Sequence, residues 1–309
     1  MCKILYVSFF LVYYLYLFYN KFVMFMDGII VVNKEKDFTS RDVVNKISHI
    51  LGTKKVGHTG TLDPMATGVL IVCVGKCTRL VDMITSDYKE YVAGVKLGIL
   101  TDTLDVTGNV LEESSVNVSK SDIVDVINSF KGSYLQEVPI YSAVKINGKK
   151  LYEYARNGEV VDLPKRMVTI KEIELVNFNS IYDFTIKCTV SKGTYIRSLV
   201  RDIANKLGTI GVMSSLERTK QGNISINESY SISDIEKGNY KMLGVREFFK
   251  DMYKVNVDET LKKKVMNGCI LNNTYNKDMV MFLDGDLVLA IYKDYDGVLK
   301  PYKMFGGIK

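Results

Sequence analysis

The chain has 309 residues, of which 47% are hydrophobic and 25% are charged. This composition is typical of a globular protein and excludes a collagen-like or intrinsically disordered chain. The formal net charge of +6 suits a polyanionic partner such as a nucleic acid, although many enzymes without such a partner are equally basic.

The cysteines and histidines limit the metal chemistry of the chain. An odd number of cysteines in a chain that can bury a large core predicts reduced thiols, which are typical of the cytoplasm. Only His49 and His58 supply imidazoles, so a multi-histidine metal site is not expected. None of the five cysteines forms a Cys-x-x-Cys pair or a zinc-like spacing: Cys2, Cys73, Cys77, Cys188 and Cys269.

The first 25 residues differ from the rest of the chain. Residues 4–19, ILYVSFFLVYYLYLFY, are apolar and aromatic, with Ser8 as the one clearly polar residue. The segment is shorter than the roughly 20 residues of a membrane span, and no small-residue cleavage site of a secretory signal follows it. We therefore expect translation to begin at Met24 or Met26, with residues 1–25 upstream of the true start. A membrane tether is the alternative interpretation.

The predicted elements of the main domain begin at residue 28. The segment GIIVVN, residues 28–33, predicts a buried strand because it is short and β-branched. Thr39 or Ser40 caps a predicted helix that ends at Gly52, and the apolar side chains of this helix fall on one face. Two further segments predict strands: VLIVCV at 69–74 and KEYVAGVKLGI at 89–99.

The middle of the chain alternates helices with strands. An amphipathic helix is predicted to begin near Ser121. The segment FTIKCTV, residues 184–190, alternates apolar and polar side chains as a half-buried strand does. A strongly periodic helix follows from Ile196 to Leu207, and Gly208 ends it. Strands of antiparallel type interleaved with helices predict an α+β fold class.

A change in composition near residue 250 predicts a domain boundary. DETLKKKVMNG, residues 258–268, predicts a short helix. The residues that follow predict strands separated by Asp-Gly turns at 284–285 and 296–297. We therefore expect a main domain at 26–250 and a small, mostly β domain at 251–309.

The loop GHTGTLDPMATGVL, residues 57–70, holds the strongest candidate for a reactive group. Asp63 is the only acidic residue between Thr53 and Val81, a span that contains several cations. Pro64 keeps Asp63 out of the helical region, and nearby cations favour an ionised carboxylate, which a nucleophile needs. Taken alone, the loop also fits a plain turn, in which Asp is common.

Three other functions of such loops do not fit the spacing. GVLIVCVGKC has six residues between its glycines and ends in cysteine, whereas a P-loop needs four and a Ser or Thr. TDTLDVTG, residues 101–108, lacks the alternating oxygen ligands of a calcium loop. A retaining glycosidase needs a second carboxylate, and no residue near Asp63 in sequence supplies one.

The loop resembles the catalytic motif of the TruB family of tRNA pseudouridine synthases. The resemblance extends in family order from Met26 to about residue 225, so it is specific. The C-terminal sixty residues resemble, more loosely, the PUA-like RNA-binding end of shorter bacterial members. The other matching blocks are VNKEKDFTS (32–40), KEYVAGVKLGILTDTLDVTG (89–108), VPIYSAVKINGKKLYEYARNG (138–158), SKGTYIRSL (191–199) and MSSLERT (213–219).

The resemblance implies the family's fold, with a mixed, largely antiparallel sheet flanked by helices, and a role for six residues. Asp63 matches the nucleophile, and Arg197 matches the arginine that pairs with it. Tyr91 matches the tyrosine that stacks on the uracil and assists removal of its C5 proton. The remaining three match residues that bind or support the substrate: Leu216 covers the other side of the base, His58 enters the T loop as the uridine leaves its stack, and Lys34 is the lysine of the first motif.

The implied reaction is isomerisation of uridine 55 in the T arm of tRNA. Asp63 would attack the base at C6 or the sugar at C1′, and both alternatives remain open. No metal or cofactor is implied, no protein partner is required, and a cytoplasmic monomer is expected. The cations expected to bind RNA phosphates are Lys54 and Lys55, Lys149 and Lys150, Lys165 and Arg166, and the run Lys262 to Lys264.

The first motif departs from the family pattern. Its residues KEKDFTS have Glu35 in place of proline and Asp37 in place of glycine, so they do not predict the motif's tight turn. Two alternative functions share the scaffold. A guide-RNA-dependent synthase would need partner-binding segments that the chain does not obviously offer. A non-catalytic RNA-binding or RNA-folding module would not need Asp63, Tyr91 and Arg197 together.

Overall fold

The computed structural model of the protein describes residues 27–85 and 88–308. The expected leader, residues 1–25, lies outside these residues. Within the described ranges, no helix is both long enough and apolar enough to cross a membrane.

The described residues form strands and helices that we number in chain order. The strands are β1 (Gly28–Lys34), β2 (Val56–His58), β3 (Thr67–Val74), β4 (Lys89–Leu97), β5 (Ile99–Thr101), β6 (Val110–Glu113), β7 (Gly132–Glu137), β8 (Lys145–Ile146), β9 (Lys149–Lys150), β10 (Lys165–Phe178), β11 (Asp183–Val190), β12 (Gly211–Gln221), β13 (Ile224–Ser225), β14 (Tyr253–Asn256), β15 (Leu271–Asn272), β16 (Met279–Asp284), β17 (Leu287–Tyr295) and β18 (Val298–Ile308). The α-helices are α1 (Ser40–Ile50), α2 (Val81–Thr85), α3 (Lys120–Asn128), α4 (Leu151–Arg156), α5 (Ile196–Lys206), α6 (Ile232–Glu236), α7 (Val245–Phe248) and α8 (Glu259–Met266).

The larger sheet has nine strands and forms the centre of the main domain. Seven of them run in the order β1-β3-β12-β4-β11-β10-β7, with β2 paired to β3 and β13 paired to β12. Every pair is antiparallel except β12 with β3, which is parallel. The prediction of an α+β fold with a mixed, largely antiparallel sheet is therefore confirmed.

The two ends of this sheet are covered differently. Around β4, β10, β11 and β12, one face packs against α3 and α5. At the other end, β1 and β3 are covered on one face by α1 and α6 and on the other face by the smaller sheet. Burial on both faces explains why GIIVVN and VLIVCV are continuous apolar runs without alternation.

Local capping explains where the predicted helices begin. Thr39 caps α1, because its hydroxyl accepts the Asp42 N–H at 3.0 Å and the Asp42 carboxylate accepts the Thr39 N–H at 2.9 Å. The predicted start at Thr39 or Ser40 is thus confirmed. Helix α3 begins at Lys120, within one residue of the predicted position, and α5 spans nearly the predicted range.

The smaller sheet contains the C-terminal strands in the order β14-β16-β17-β18-β15. Its second hairpin turns at Asp296 and Gly297, both with positive φ, as the sequence predicts. The first turn is shifted by one residue from the predicted position 284–285. Its loop residues are Gly285 and Asp286, because pairing continues to Asp284 opposite Leu287.

The two sheets share one apolar cluster. It joins side chains of β1 and β3, such as Ile29 and Ile71, to side chains of the smaller sheet, such as Met281, Ile291 and Phe305. All five are at most 3% exposed. The C-terminal strands are therefore packed directly against the main sheet.

Candidate active site

A cleft of about 820 Å³ opens beside the loop that joins β2 to β3. Five of the six candidate site residues line this cleft; Lys34 does not. The five come from separate elements, which the fold brings together: His58 from β2, Asp63 from the loop, Tyr91 from β4, Arg197 from α5 and Leu216 from β12.

The loop that carries Asp63 is pinned by its own apolar residues. Leu62, Met65 and Ala66 are at most 8% exposed and belong to the core beneath the main sheet. Ser40, at the start of α1, accepts the Leu62 N–H at 2.9 Å through its hydroxyl oxygen. The aspartate is thus presented to the cleft by a backbone that packing and hydrogen bonds fix on both sides.

Lys34 supports this loop from below. Its side chain is fully buried, and its ammonium donates to the carbonyls of Phe38 at 2.6 Å, Glu35 at 2.9 Å and Pro64 at 3.2 Å. Burial lowers the pKa of Lys34 to about 8, while the Asp63 carboxylate acts in the opposite direction. In this geometry Lys34 holds the turn and the loop and does not face the cleft.

The first motif keeps its tight turn despite the departure from the family pattern. Asp37 takes the glycine's place with a φ of +68°, in the left-handed region. Its N–H donates to the Pro64 carbonyl at 2.9 Å. The turn is therefore present where the sequence did not predict it, since aspartate tolerates this conformation better than most residues.

Arg197 and Asp63 form a bidentate ion pair. Arg197 Nε donates to Asp63 Oδ2 at 2.9 Å, and Nη2 donates to Oδ1 at 3.1 Å. The guanidinium is itself fixed, because it also donates to the carbonyls of Thr103 at 2.9 Å and Tyr141 at 3.0 Å. Such a fork both orients a carboxylate and stabilises its ionised form.

A second carboxylate, which the sequence analysis missed, lies behind the pair. Asp105 is 5% exposed, and its Oδ2 lies 3.9 Å from Arg197 Nε. Its other oxygen accepts the hydroxyls of Thr103 at 2.9 Å and Thr107 at 2.5 Å. Asp105 belongs to the segment TDTLDVTG, and only the fold reveals its proximity to Arg197.

Tyr91 and Leu216 add apolar surface to the cleft that Asp63 lines. Tyr91 and Leu216 are 7% and 8% exposed, and they lie on the neighbouring strands β4 and β12. Both belong to the core cluster that also contains Ala93, the pairing partner of Leu216. This arrangement offers apolar surface on which a flat ring can stack.

His58 lies at the loop's beginning and is partly buried. Burial is the main cause that lowers the pKa of His58, and the positive charges of Arg218 and Arg41 act in the same direction. Its Nδ1 accepts the Gly60 N–H at 3.3 Å. In this geometry Nδ1 is an acceptor and carries no proton.

Arg218 is the main residue of the cleft that sequence reasoning missed. It is fully buried, lies on β12 and follows Leu216 by two positions, so both point to the same side of the strand. Arg218 Nε donates to the Val69 carbonyl at 2.6 Å, and Nη2 donates to the Gly60 carbonyl at 3.1 Å. A charged residue at an inward position of a strand was the signal that could have identified it.

The rim of the cleft combines cations and tyrosines. Lys150 lies 5.3 Å from the ring centre of Tyr152, and both line the cleft. Arg166 lies 5.7 Å from the Tyr195 ring. Such pairs suit a nucleic acid, which offers phosphates and flat bases. Two of the other cations expected to bind RNA are engaged in ion pairs instead, Lys149 with Glu159 and Lys262 with Asp284.

Comparisons with known proteins identify the family of this chain. Residues 48–196 match the family described as "TruB family pseudouridylate synthase (N terminal domain)". The chain is 43% identical over 254 residues to "tRNA pseudouridine synthase B" of Caldanaerobacter subterraneus subsp. tengcongensis, covering 82% of this chain and 89% of that relative. It is 40% identical over 301 residues to the protein of that name from Bacillus subtilis strain 168, covering 90% and 97%.

Solved structures show the same fold at lower identity. A chain of "Crystal Structure of a Cbf5-Nop10-Gar1 Complex" has a TM-score of 0.68 and 24% identity, covering 92% of this chain and 87% of that chain. A chain of "Structure of H/ACA RNP bound to a substrate RNA containing 2'-deoxyuridine" has a TM-score of 0.66 and 22% identity, covering 91% and 85%. Identity above 40% over most of the chain goes further than fold. The chain belongs to the TruB family of tRNA pseudouridine synthases.

Proposed function

We propose that this protein isomerises uridine 55 in the T arm of tRNA to pseudouridine, with Asp63 as the nucleophile. The observation that carries the proposal is the bidentate pair between Asp63 and Arg197 at the floor of the cleft. An oriented, ionised carboxylate is the group that such a reaction needs. Relatives named tRNA pseudouridine synthase B support tRNA as the substrate.

The reaction conserves all atoms of the base. Asp63 attacks C6 of the uracil or C1′ of the ribose, and the glycosidic bond from N1 breaks. The uracil then rotates, and a carbon–carbon bond forms between C5 and C1′. C5 loses its proton, N1 gains one, and the carboxylate is released. In this proposal Tyr91, which lines the cleft, stacks on the uracil, and its phenol assists the transfer of the C5 proton.

The target base must leave its stack before Asp63 can reach it. Extrusion of a base costs a few kcal/mol. We infer that Tyr91 and Leu216 receive the base, and that His58 fills the space that it leaves in the loop. These contacts offset the cost of extrusion, because the base exchanges one stacked environment for another.

The remaining parts of the proposal concern binding and location. Residues 251–309 act as a PUA-like RNA-binding domain beside the catalytic domain at 26–250, and the protein acts as a monomer without a protein partner. The four described cysteines, at 73, 77, 188 and 269, are free thiols, which supports the cytoplasm as the location. A guide-RNA-dependent synthase is not favoured, because the relatives about 40% identical over most of the chain are named for tRNA.

The test compares wild type with Asp63→Asn on an unmodified tRNA transcript. We expect pseudouridine at position 55 with wild type only, detected by site-resolved sequencing after carbodiimide treatment. A transcript with cytidine at position 55 should stay unmodified. Asp37→Asn is a matched control, since it removes a carboxylate from the neighbouring turn, outside the cleft lining.

Other outcomes have distinct meanings. If Asp63→Asn retains the wild-type rate, Asp63 is not the nucleophile. If wild type binds the transcript but makes no pseudouridine, the protein is an RNA-binding or RNA-folding module on this scaffold. The same assay with protein beginning at Met26 tests whether residues 1–25 are needed for activity, and unchanged solubility and fold of that protein would argue against a membrane tether.

A further inference from the structure

Arg218 joins the two ends of the loop that carries Asp63. Its guanidinium bonds the carbonyl of Gly60, three residues before Asp63, and the carbonyl of Val69, six residues after it. The loop between these carbonyls contains the buried residues that pin Asp63. One planar side chain thus fixes the distance between the loop's entry and its exit.

The surrounding backbone is shaped to admit this side chain. A Cβ on Gly60 would lie 3.4 Å from Arg218 Nη1, at a φ of +141°. A Cβ on Gly68 would lie 2.3 Å from the Arg218 carbonyl oxygen, at a φ of +101°. Gly68 is therefore needed for the close approach of β12, and Gly60 is needed for its positive φ.

The charge of Arg218 is not compensated within the described residues. Unlike Arg197, it forms no ion pair there, and its only acceptors are the two carbonyls. Its Nη1 is buried and has no hydrogen-bond partner. A buried, unpaired cation destabilises a fold. A neutral side chain would be expected at this position if packing alone were required.

Two titratable neighbours respond to this charge: it acts to lower the pKa of buried Lys34 and the pKa of His58. Gly60 connects Arg218 to His58. Its carbonyl accepts a hydrogen bond from Arg218, and its N–H donates to His58 Nδ1 at 3.3 Å. Arg218 is the largest electrostatic influence on the imidazole, and Arg41 on α1 is the second. Lys89 and Asp63 line the same cleft, and Asp63 is already paired with Arg197. The net effect of these charges opposes protonation of His58.

We propose that Arg218 is a positioning residue of this site: it closes the loop around Asp63 and holds the backbone of Gly60 against the His58 imidazole. Both effects pass through Gly60, whose carbonyl meets the arginine and whose N–H needs an unprotonated Nδ1 on the histidine. A protonated imidazole would turn Nδ1 into a donor and lose this bond. Inserting a neutral imidazole among stacked bases also costs less desolvation free energy than inserting a charged one. The catalytic part of this inference rests on the proposed function.

The experiment uses the full chain with Arg218→Met, Arg218→Lys and Arg41→Met. Because the chain has only two histidines, His49 and His58, their imidazole signals can be followed and assigned by NMR without crowding. We expect the pKa of His58 to rise in Arg218→Met. We expect Arg218→Lys to keep it near the wild-type value, since the charge remains. Arg41→Met should raise it less than Arg218→Met does.

The kinetic constants of the variants separate two effects of Arg218, the closure of the loop and its positive charge. Both Arg218 variants should lose at least tenfold in kcat on the tRNA transcript with little change in KM. Methionine has no donor, and lysine carries its donors on a single atom, whereas Arg218 reaches one carbonyl through Nε and the other through Nη2. Arg41→Met does not touch these carbonyls, so it shifts the His58 titration without breaking the loop. Thermal melts of each variant show whether it is folded, and Arg218→Lys stays informative if Arg218→Met does not fold.

Two results would overturn the proposal. One is an unchanged His58 titration in Arg218→Met, and the other is a wild-type kcat in both Arg218 variants. The titration needs no RNA, so it tests Arg218 even if wild type makes no pseudouridine. In that case the proposed function fails while the inference about His58 is judged separately.

Discussion

Replacing Arg197 with methionine should destabilise the protein more than removing its partner carboxylate does. The guanidinium donates four hydrogen bonds, two to Asp63 and one each to the carbonyls of Thr103 and Tyr141. In Arg197→Met both carbonyls lose their donor, and Asp63 and Asp105 remain near each other without the cation between them. In Asp63→Asn the arginine keeps both carbonyls and its contact with Asp105.

The expected magnitudes follow from these contacts. Each carbonyl bond contributes about 1 kcal/mol. Loss of the charged pair adds about 1–2 kcal/mol, discounted because the Asp63 side chain is 33% exposed. Arg197→Met should therefore lower the free energy of unfolding by about 3–4 kcal/mol, and Asp63→Asn by about 1 kcal/mol. The double variant should cost about 1–2 kcal/mol less than the two single changes added together.

Chemical denaturation followed by circular dichroism measures all three variants, and single-turnover kinetics on the transcript measures their activity. Arg197→Lys is the control for charge, since an ammonium can reach Asp63 but cannot form the fork. Equal destabilisation by Asp63→Asn and Arg197→Met would refute the reasoning. So would strict additivity in the double variant, because it would mean that the pair contributes nothing to stability.

Three other changes test the support of the loop by denaturation. Gly68→Ala should lower the free energy of unfolding by about 3 kcal/mol or more, because its Cβ would lie 2.3 Å from the Arg218 carbonyl oxygen. Gly132→Ala is the control: Gly132 also has a positive φ but no atom within 4 Å of the added Cβ, so the loss should be about 1 kcal/mol. Equal losses would contradict the close approach. Asp37→Gly should stabilise by about 0.5–1 kcal/mol because it relieves a φ of +68°, and a loss of stability would show that the Asp37 side chain is needed. The pKa of Lys34 is about 8 in the folded protein and 10.5 ordinarily, so between these pH values the unfolded chain binds the proton more readily than the folded one. The free energy of unfolding of wild type, relative to Lys34→Met, should therefore rise by about 1.4 kcal/mol per pH unit in this window. A difference that does not change with pH would contradict the lowered pKa.

Local sequence patterns predicted the elements that local physics controls. The strand GIIVVN, the capped helix after Thr39 and the helix from Ile196 were all identified from hydrophobic period and capping residues, and all are present. The order of the strands could not be predicted in this way. The placement of β12 between β3 and β4 depends on pairs of residues more than a hundred positions apart, such as Arg218 with Tyr91.

The residues of the candidate site also differ in how far the sequence could predict them. The resemblance to a known family indicated that Asp63 and Arg197 pair, and no local pattern would have done so across 134 positions. Asp105 was missed because a buried charge looks, in sequence, like a solvated one, and Arg218 was missed because the strand that carries it, β12, was not predicted. Lys34 was expected to act on the substrate, and its three carbonyl acceptors beneath the loop are visible only in the fold.

The apolar cluster shared by the two sheets has a consequence for how this protein handles a substrate. Because the sheets are joined by buried side chains, they cannot swing toward each other the way domains on a flexible tether do. If the two sheets stay fixed relative to each other, the conformational change on binding has to take place in the RNA. Under the proposed function, we expect selection among RNAs to depend partly on their stiffness: a loop whose uridine is easily extruded should react faster than a stiff helix of the same sequence.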